Sequence, residues 1–312
     1  MSDRVATVAP ASTLADKLEA LWRFSRPHTI YGTTASLLGL YLLALAPGQA
    51  WSSGWREVAI ALVACLSTNV YIVGLNQLFD IDIDRVNKPK LPLASGAMTV
   101  NQGIAVVAGL GILGLAIAGF TNPYLFATVA LSTLIGTAYS APPIRLKRFA
   151  FFASLCIYSV RGLVVNFGFF TYFRSAFGLS VVPTPALWAL VAFILAFTFV
   201  IAIFKDIPDM EGDRQFDIAT FSLKLGQDRI FNGSLVLLSL SYVAMAIASF
   251  FLSSLNAPMA IAIHLGGLGV LWWERWRLTE RDREAMYGYY QLIWKLFYLE
   301  YLLFPLTQLL RG

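Results

Sequence analysis

The sequence predicts an all-α membrane protein of about nine transmembrane helices, and three observations carry that prediction. Of its 312 residues 58% are hydrophobic and 13% charged, where a soluble globular domain is about one quarter charged. Apolar runs long enough to cross a bilayer recur from one end to the other. Basic residues gather in alternate loops between those runs, as orientation of a multi-pass protein requires.

In sequence order, residues 1–11 read as a disordered arm. Ser12 to Trp22 carries Leu14, Leu18, Leu21 and Trp22 at helical spacing with charges between them, the pattern of an amphipathic helix lying on a membrane surface. Asp3, Asp16 and Glu19, with no apolar core beside them, make this region unlike a signal or transit peptide. A bacterial-type protein, or one already trimmed, is expected. The expected organisation is a cytoplasmic arm with an interfacial helix over 1–27 and a single transmembrane domain over 28–312. The spans run roughly over 28–46, 57–79, 101–120, 123–140, 149–172, 186–205, 231–252, 257–274 and 289–309. Thr121-Asn122-Pro123 and Asn256-Ala257-Pro258 read as tight turns between neighbouring spans.

Charge tests this topology. One side collects the N-terminal cations and those after spans two, four, six and eight, which are 18 of the 23 lysines and arginines. The other side holds Arg56, Arg174 and Arg311, while Arg161 and Lys295 fall within spans. This predicts an odd number of crossings and a cytoplasmic N-terminus. It also accounts for the net charge of +5 with no nucleic-acid partner, because no aromatic stacking platform accompanies the basic loops. The two cysteines, Cys65 and Cys156, lie in apolar runs and read as buried free thiols with no metal spacing.

Candidate chemistry starts where span two ends, at Asn76-Gln77-Leu78-Phe79-Asp80-Ile81-Asp82-Ile83-Asp84. Carboxylates at a membrane boundary are costly. On an uninterrupted helix Asn76, Asp80 and Asp84 share a face and Asp82 points away. Oxygen ligands so stacked suit a hard cation that keeps room for phosphate and water; the plain alternative is a solvated acidic loop. A second cluster closes span six, where Asp206, Asp209 and Asp213 share a face with Lys205 adjacent and Pro208 placed to break the helix. Seven of the 18 acids lie in these two stretches, on the same predicted side, four spans apart. Facing clusters can hold Mg²⁺ bridged by a diphosphate, with cations on hand to offset the repulsion between anions.

Arg145, Lys147 and Arg148, closing span four on that side, are candidate diphosphate contacts or simply topology-setting charges. Tyr139 is a candidate for hydrogen bonding a phosphate oxygen or facing a carbocation, or an interfacial aromatic. Arg161 inside span five, with Asn166 beyond it, must face a polar cavity or a partner. Lys295 and Glu300 read as a structural pair, and His264 as a residue lodged in its span. No Ser/His/Asp or Cys/His constellation stands out.

Asn76-xxx-Asp80-xxx-Asp84, then Tyr139-Ser140-x-Pro142-Pro143 with Arg145 and Lys147, then Lys205-Asp206-xx-Asp209-xxx-Asp213 together resemble the UbiA superfamily of intramembrane aromatic prenyltransferases over nearly the whole sequence. Trp22-Arg23-Phe24-Ser25-Arg26-Pro27-His28-Thr29, Tyr71 to Leu78 and Phe204 to Arg214 are most similar to the branch that prenylates homogentisate in tocopherol synthesis. The resemblance implies nine helices around a central cavity open laterally to membrane lipid, in a bacterial plasma or thylakoid membrane, with its active site on the cytoplasmic side. It implies Asn76, Asp80, Asp84, Asp206, Asp209 and Asp213 as holders of Mg²⁺ and diphosphate. It implies a prenyl diphosphate donor, phytyl diphosphate foremost with geranylgeranyl and solanesyl diphosphates as alternatives, and homogentisate as the decarboxylated acceptor. The catalytic set so expected is Asp80, Asp84, Asp209, Asp213 and Arg161, and the substrate-binding set Asn76, Tyr139, Arg145, Lys147, Lys205, Asp206 and Asn166. The rival class is a secondary transporter, whose acids would sit near the bilayer midplane at broken helices rather than at one interface.

Overall fold

The computed structural model describes residues 13–207, 210 and 220–311, so the expected disordered arm lies outside the described residues. All its regular elements are helical, and no strand occurs among the described residues. The first helix, α1 (Leu14–Phe24), begins with a reciprocal cap. Thr13 Oγ1 accepts from Asp16 N at 3.1 Å, and Asp16 Oδ2 accepts from Thr13 N at 3.0 Å, satisfying two amides that the helix start leaves open. Leu14 and Leu18 are exposed along one stripe, whereas Phe24 is fully buried against Val70, Leu93 and Val107. Gln77 Nε2 donates to Phe24 O at 2.8 Å, which ties the end of α1 to the helix carrying the first acidic cluster.

Next come α2 (Pro27–Ala44), α3 (Trp55–Phe79), the short α4 (Ile81–Asn87) and α5 (Pro92–Ser95), α6 (Val100–Thr121) and α7 (Pro123–Ser140). α8 (Ala150–Tyr158) runs through a π-helical turn, Ser159–Val164, into α9 (Val165–Ala176). Then follow α10 (Pro185–Phe204), the short α11 (Phe221–Leu225), α12 (Gln227–Ala248), α13 (Ala257–Arg277) and α14 (Arg283–Leu309). A long helix lies over each predicted segment, with α8 and α9 forming one rod. Five of them, α3, α6, the rod from Phe151, α10 and α12, are long and apolar enough to cross a bilayer. Glycine, threonine, tyrosine and charged residues dilute α2, α7, α13 and α14, so the expected nine crossings are not reached on that measure.

Helix ends follow local chemistry. Asn122 alone separates α6 from α7, its Oδ1 accepting from Tyr124 N at 2.9 Å with Pro123 at the first helical position, as the tight-turn reading expects. α12 starts four residues earlier than its predicted span because Gly226 adopts φ +85, which releases the backbone from α11. α14 starts six residues early because Asp282 caps it, Oδ1 accepting from Ala285 N at 2.8 Å.

α10 is the central helix. Leu187, Leu190, Ile194, Phe197 and Phe204 are inaccessible, and they join one core with Tyr41, Phe169, Phe173, Phe297 and Phe304. Small residues set the closest approaches. Gly111 of α6 faces the Tyr71 ring of α3, and Gly39 of α2 sits against the backbone of α14. Both cysteines are free and buried, as expected.

Glu300 pairs with His264 rather than with Lys295. His264 Nε2 lies 3.2 Å from Glu300 Oε1, and its Nδ1 lies 2.6 Å from Ala260 O. Both side chains are buried among Phe193, Tyr242 and Phe304. The sequence reads Lys295 and Glu300, on one span, as a pair, but the imidazole that meets Glu300 comes from the neighbouring helix. Replacing His264 by leucine strands a buried carboxyl group, a loss of about 2–4 kcal/mol. Thermal unfolding in detergent should show that loss and a much smaller one for Glu300→Gln.

Candidate active site

A cavity of about 1670 Å³ is enclosed by α2, α3, α4, α7, α8 and α14, with the end of α10 at its rim. Its wall includes Asn76, Asp80, Asp84, Tyr139, Arg145, Lys147, Arg161, Lys205 and Asp206, so nine of the sequence-predicted site residues share one space. Asp209 and Asp213 lie outside the described residues.

The helix does not run uninterrupted through the first cluster. Asp80, with φ −119 and ψ 15, ends α3 and starts α4. Asp80 N bonds to Gln77 O at 3.3 Å, and Asp84 N bonds to Asp80 O at 2.7 Å, so the tightened turn is followed at once by a new helix. The four-residue spacing survives this break, and Asn76, Asp80 and Asp84 all reach the cavity. Asp82 points away, 90% exposed and paired with Arg85 at 2.8 Å, as expected.

Asp80 is the hub. Its Oδ1 accepts from Arg145 Nη2 at 3.1 Å, and its Oδ2 accepts from Lys147 Nζ at 2.5 Å and from Asn76 Nδ2 at 3.1 Å. Arg145 reaches it from a left-handed backbone at φ +40, and Arg145 Nη2 also donates to Phe79 O at 3.3 Å. Among the described residues the other non-glycine residue at positive φ is Arg26, at φ +51, whose Nη2 donates to Asn76 Oδ1 at 3.2 Å. Left-handed backbone is unfavourable for a long side chain; here both instances aim guanidinium groups at the same acidic cluster. Arg26 is the residue that spacing does not reveal. Nothing in the sequence pairs position 26 with position 76, and the Arg-Pro step at the start of span one is the only available signal.

Asp84 is buried, and its Oδ2 has no hydrogen-bond partner among the described residues. Burial pushes its carboxyl pKa up; nearby Arg26 and Lys88 act the other way. Burial likewise lowers the pKa of Lys147, against the opposing bond to Asp80. A buried carboxylate oxygen without a donor is costly unless a cation meets it. The oxygens of Asn76, Asp80 and Asp84 form the hard donor set that a divalent cation prefers. Among the described residues no group of three acidic, histidine or cysteine side chains is gathered as a finished cation cage. Across the cavity, Lys205 Nζ lies 3.8 Å from Asp206 Oδ1, and half-buried Tyr139 faces the same space.

Arg161 enters from the π-helical turn, its guanidinium carbon 4.5 Å from the Trp294 ring centre and 5.9 Å from that of Phe297. Asn166 does not reach the cavity, contrary to expectation. It is fully buried, with Nδ2 donating to Arg161 O at 3.0 Å and Gly162 O at 2.9 Å, and Oδ1 accepting from Tyr301 Oη at 2.9 Å. The wide turn rotates it into the helix interface, where its amide is consumed by protein groups.

Known proteins resemble this one over most of its length. Residues 36–296 match the model of the UbiA prenyltransferase family. The protein is 50% identical over 294 residues to homogentisate phytyltransferase of Synechocystis sp., covering 93% of its own length and 96% of that relative's. It is 40% identical over 296 residues to the chloroplastic homogentisate phytyltransferase 1 of Arabidopsis thaliana, covering 93% and 75% respectively. In fold it is similar to a UbiA homolog from Archaeoglobus fulgidus bound to GPP and Mg2+, with TM-score 0.64 at 18% identity, over 91% of its own length and 98% of the homolog's.

Proposed function

The protein belongs to the UbiA prenyltransferase family, and on that premise we propose that it is an integral membrane enzyme that transfers a prenyl group, phytyl foremost, from its diphosphate to the ring of homogentisate, with decarboxylation, in tocopherol synthesis. The observation that carries this reading is one cavity in which Asp80 and Asp84 lie among Arg26, Arg145 and Lys147, and whose lining also includes Ile72, Ile135, Ile157 and Trp294. Half sequence identity to a homogentisate phytyltransferase over nearly the full length of both proteins supports the choice of substrates.

Each part of the site then has a task. Asn76, Asp80 and Asp84 would hold Mg²⁺ together with Asp206, Asp209 and Asp213. When bound, the ion supplies charge neutralisation for the departing diphosphate. Arg145, Lys147 and Arg26 add donors aimed at the same oxygens, stabilising the charge that develops as the allylic C–O bond breaks. Asp80, now bonded to Arg145 and Lys147, would share in holding the ion, and the two cations beside it would then be available to phosphate oxygens. The apolar depth of the cavity shields the allylic cation from water, and the Tyr139 ring offers it a π face. The electron-rich ring attacks the allylic carbon, so no enzyme nucleophile is needed. A ring proton leaves the attacked carbon, the bond between the acetate methylene and its carboxylate breaks to release CO₂, and a proton takes its place on the methylene carbon. Diphosphate, CO₂ and the prenylated methylquinol account for all atoms. The lipid tail binds through burial at about 0.8 kcal/mol per methylene.

We place this chemistry on the cytoplasmic side of a bacterial plasma or thylakoid membrane, with α1 in the interface and residues 28–312 as one domain. Purified protein supplied with homogentisate and competing prenyl diphosphates of several lengths, with product masses and CO₂ measured, should yield the phytyl product predominantly, one CO₂ per transfer. A predominant geranylgeranyl or solanesyl product would reassign the donor, and no CO₂-coupled product from any donor would overturn the reading.

A further inference from the structure

The π-helical turn at Ser159–Val164 is the one place where the rod formed by α8 and α9 departs from α-helical geometry. Widening a turn lengthens or frees some of the i→i+4 bonds, and the released carbonyls need other donors. Asn166 adds a donor at this turn, its single amide group bridging Arg161 O and Gly162 O. The amide is held in turn by Tyr301 Oη. Trp294, Phe297 and Tyr301 recur at three- and four-residue spacing, so they share one face of α14. That face grips the turn twice: the rings of Trp294 and Phe297 flank the Arg161 guanidinium, and the Tyr301 hydroxyl fixes the Asn166 amide.

Arg161 differs from Arg26, Arg145 and Lys147, which share the cavity. Arg145 and Lys147 are ion-paired with Asp80, and Arg26 is bonded to Asn76. Among the described residues Arg161 is flanked by ring faces, which leave its hydrogen-bonding edge for an oxyanion. Helical rise carries it about 16 Å along the rod from Ala150, away from the basic turn at the mouth.

We propose that Asn166 and Tyr301 are positioning residues: they hold the π-helical turn so that Arg161 presents its guanidinium to a substrate oxyanion, the carboxylate of the acceptor. This rests on the homogentisate reading, and the donor's diphosphate is the other source of the same chemistry. The test compares Asn166→Ala, Tyr301→Phe, Arg161→Ala and the double variant Arg161→Ala/Tyr301→Phe. Tyr301→Phe removes a hydroxyl and keeps the packed ring, so it reads positioning even if Asn166→Ala fails to fold. KM is measured separately for homogentisate and phytyl diphosphate. Tyr301→Phe is expected to raise KM for homogentisate roughly tenfold, the effect of one lost buried hydrogen bond, and KM for the donor less than twofold. The double variant should be no worse than Arg161→Ala, because both changes act through one guanidinium. A rise confined to the donor's KM would keep the positioning role and move the oxyanion to the diphosphate. Equal rises for both substrates, unchanged KM values, or losses that add in the double variant would overturn it. The same coupling is read without turnover, as the shift in unfolding midpoint produced by homogentisate or by magnesium pyrophosphate in each variant. A protein inactive on homogentisate therefore ends the functional reading while this measurement still decides the positioning role.

Discussion

Asp80→Ala and Asp84→Ala each lower prenyl transfer by at least about 10³-fold, a loss of roughly 4 kcal/mol in transition-state stabilisation, while the protein still inserts and elutes as the folded species. The two losses should have different signatures. Asp80 has three hydrogen-bonding partners, and its removal frees Arg145 and Lys147. The cavity mouth becomes more positive, so KM for the donor holds or falls while kcat collapses. Asp84 has a buried oxygen with no hydrogen-bond partner among the described residues, so its removal relieves a desolvation cost. Asp84→Ala should therefore unfold at an equal or higher temperature than the parent protein and yet be inactive. Excess EDTA should reproduce the kinetic loss in the parent protein and added Mg²⁺ should reverse it. Full turnover in EDTA, or in either variant, would remove the metal–diphosphate site from the account.

The second large effect is on stability. A Cβ on Gly39 would lie 2.0 Å from the Tyr301 carbonyl oxygen and 2.9 Å from the carbonyl carbon. Those are backbone atoms of α14, so no rotamer change relieves the clash and α2 must move off α14. Overpacking of this kind costs about 1–3 kcal/mol where side chains can yield, and Gly39→Ala should reach or exceed the upper end. Gly109→Ala, where nothing lies within 4 Å of the added carbon, is the matched control and should change little. Unfolding midpoints of the two variants in one detergent decide the matter. Because Tyr301 also holds Asn166, separation of α2 from α14 in Gly39→Ala should weaken homogentisate binding as well.

Parts of the site are legible in the residues alone. Asn76, Asp80 and Asp84 stand out by a four-residue spacing, and Arg145, Lys147 and Arg161 by charge where charge is expensive. All six line the cavity. Expectation and structure part where a local irregularity rotates a side chain. Asn166 is expected beside Arg161 at the substrate, and the π-helical turn swings it into the interface with α14. Glu300 is expected to pair with Lys295 of the same span, whereas its partner, His264, comes from another helix. Arg26 goes unassigned because its left-handed backbone is dictated by surroundings that no local pattern records.

The sequence by itself determined the class, the succession of apolar helices, their polar ends, and the acids and bases gathered at those ends, because each is a property of residues close together along the backbone. Only the tertiary structure decided which ends converge: Arg26 on Asn76, Arg145 and Lys147 on Asp80, Trp294 over Arg161, Tyr301 on Asn166. Helical periodicity specifies the face a residue occupies on its own helix. The opposing face is chosen by packing, through small residues such as Gly39 and the rotations that a broken or widened turn imposes, and that choice is made jointly by segments up to hundreds of residues apart.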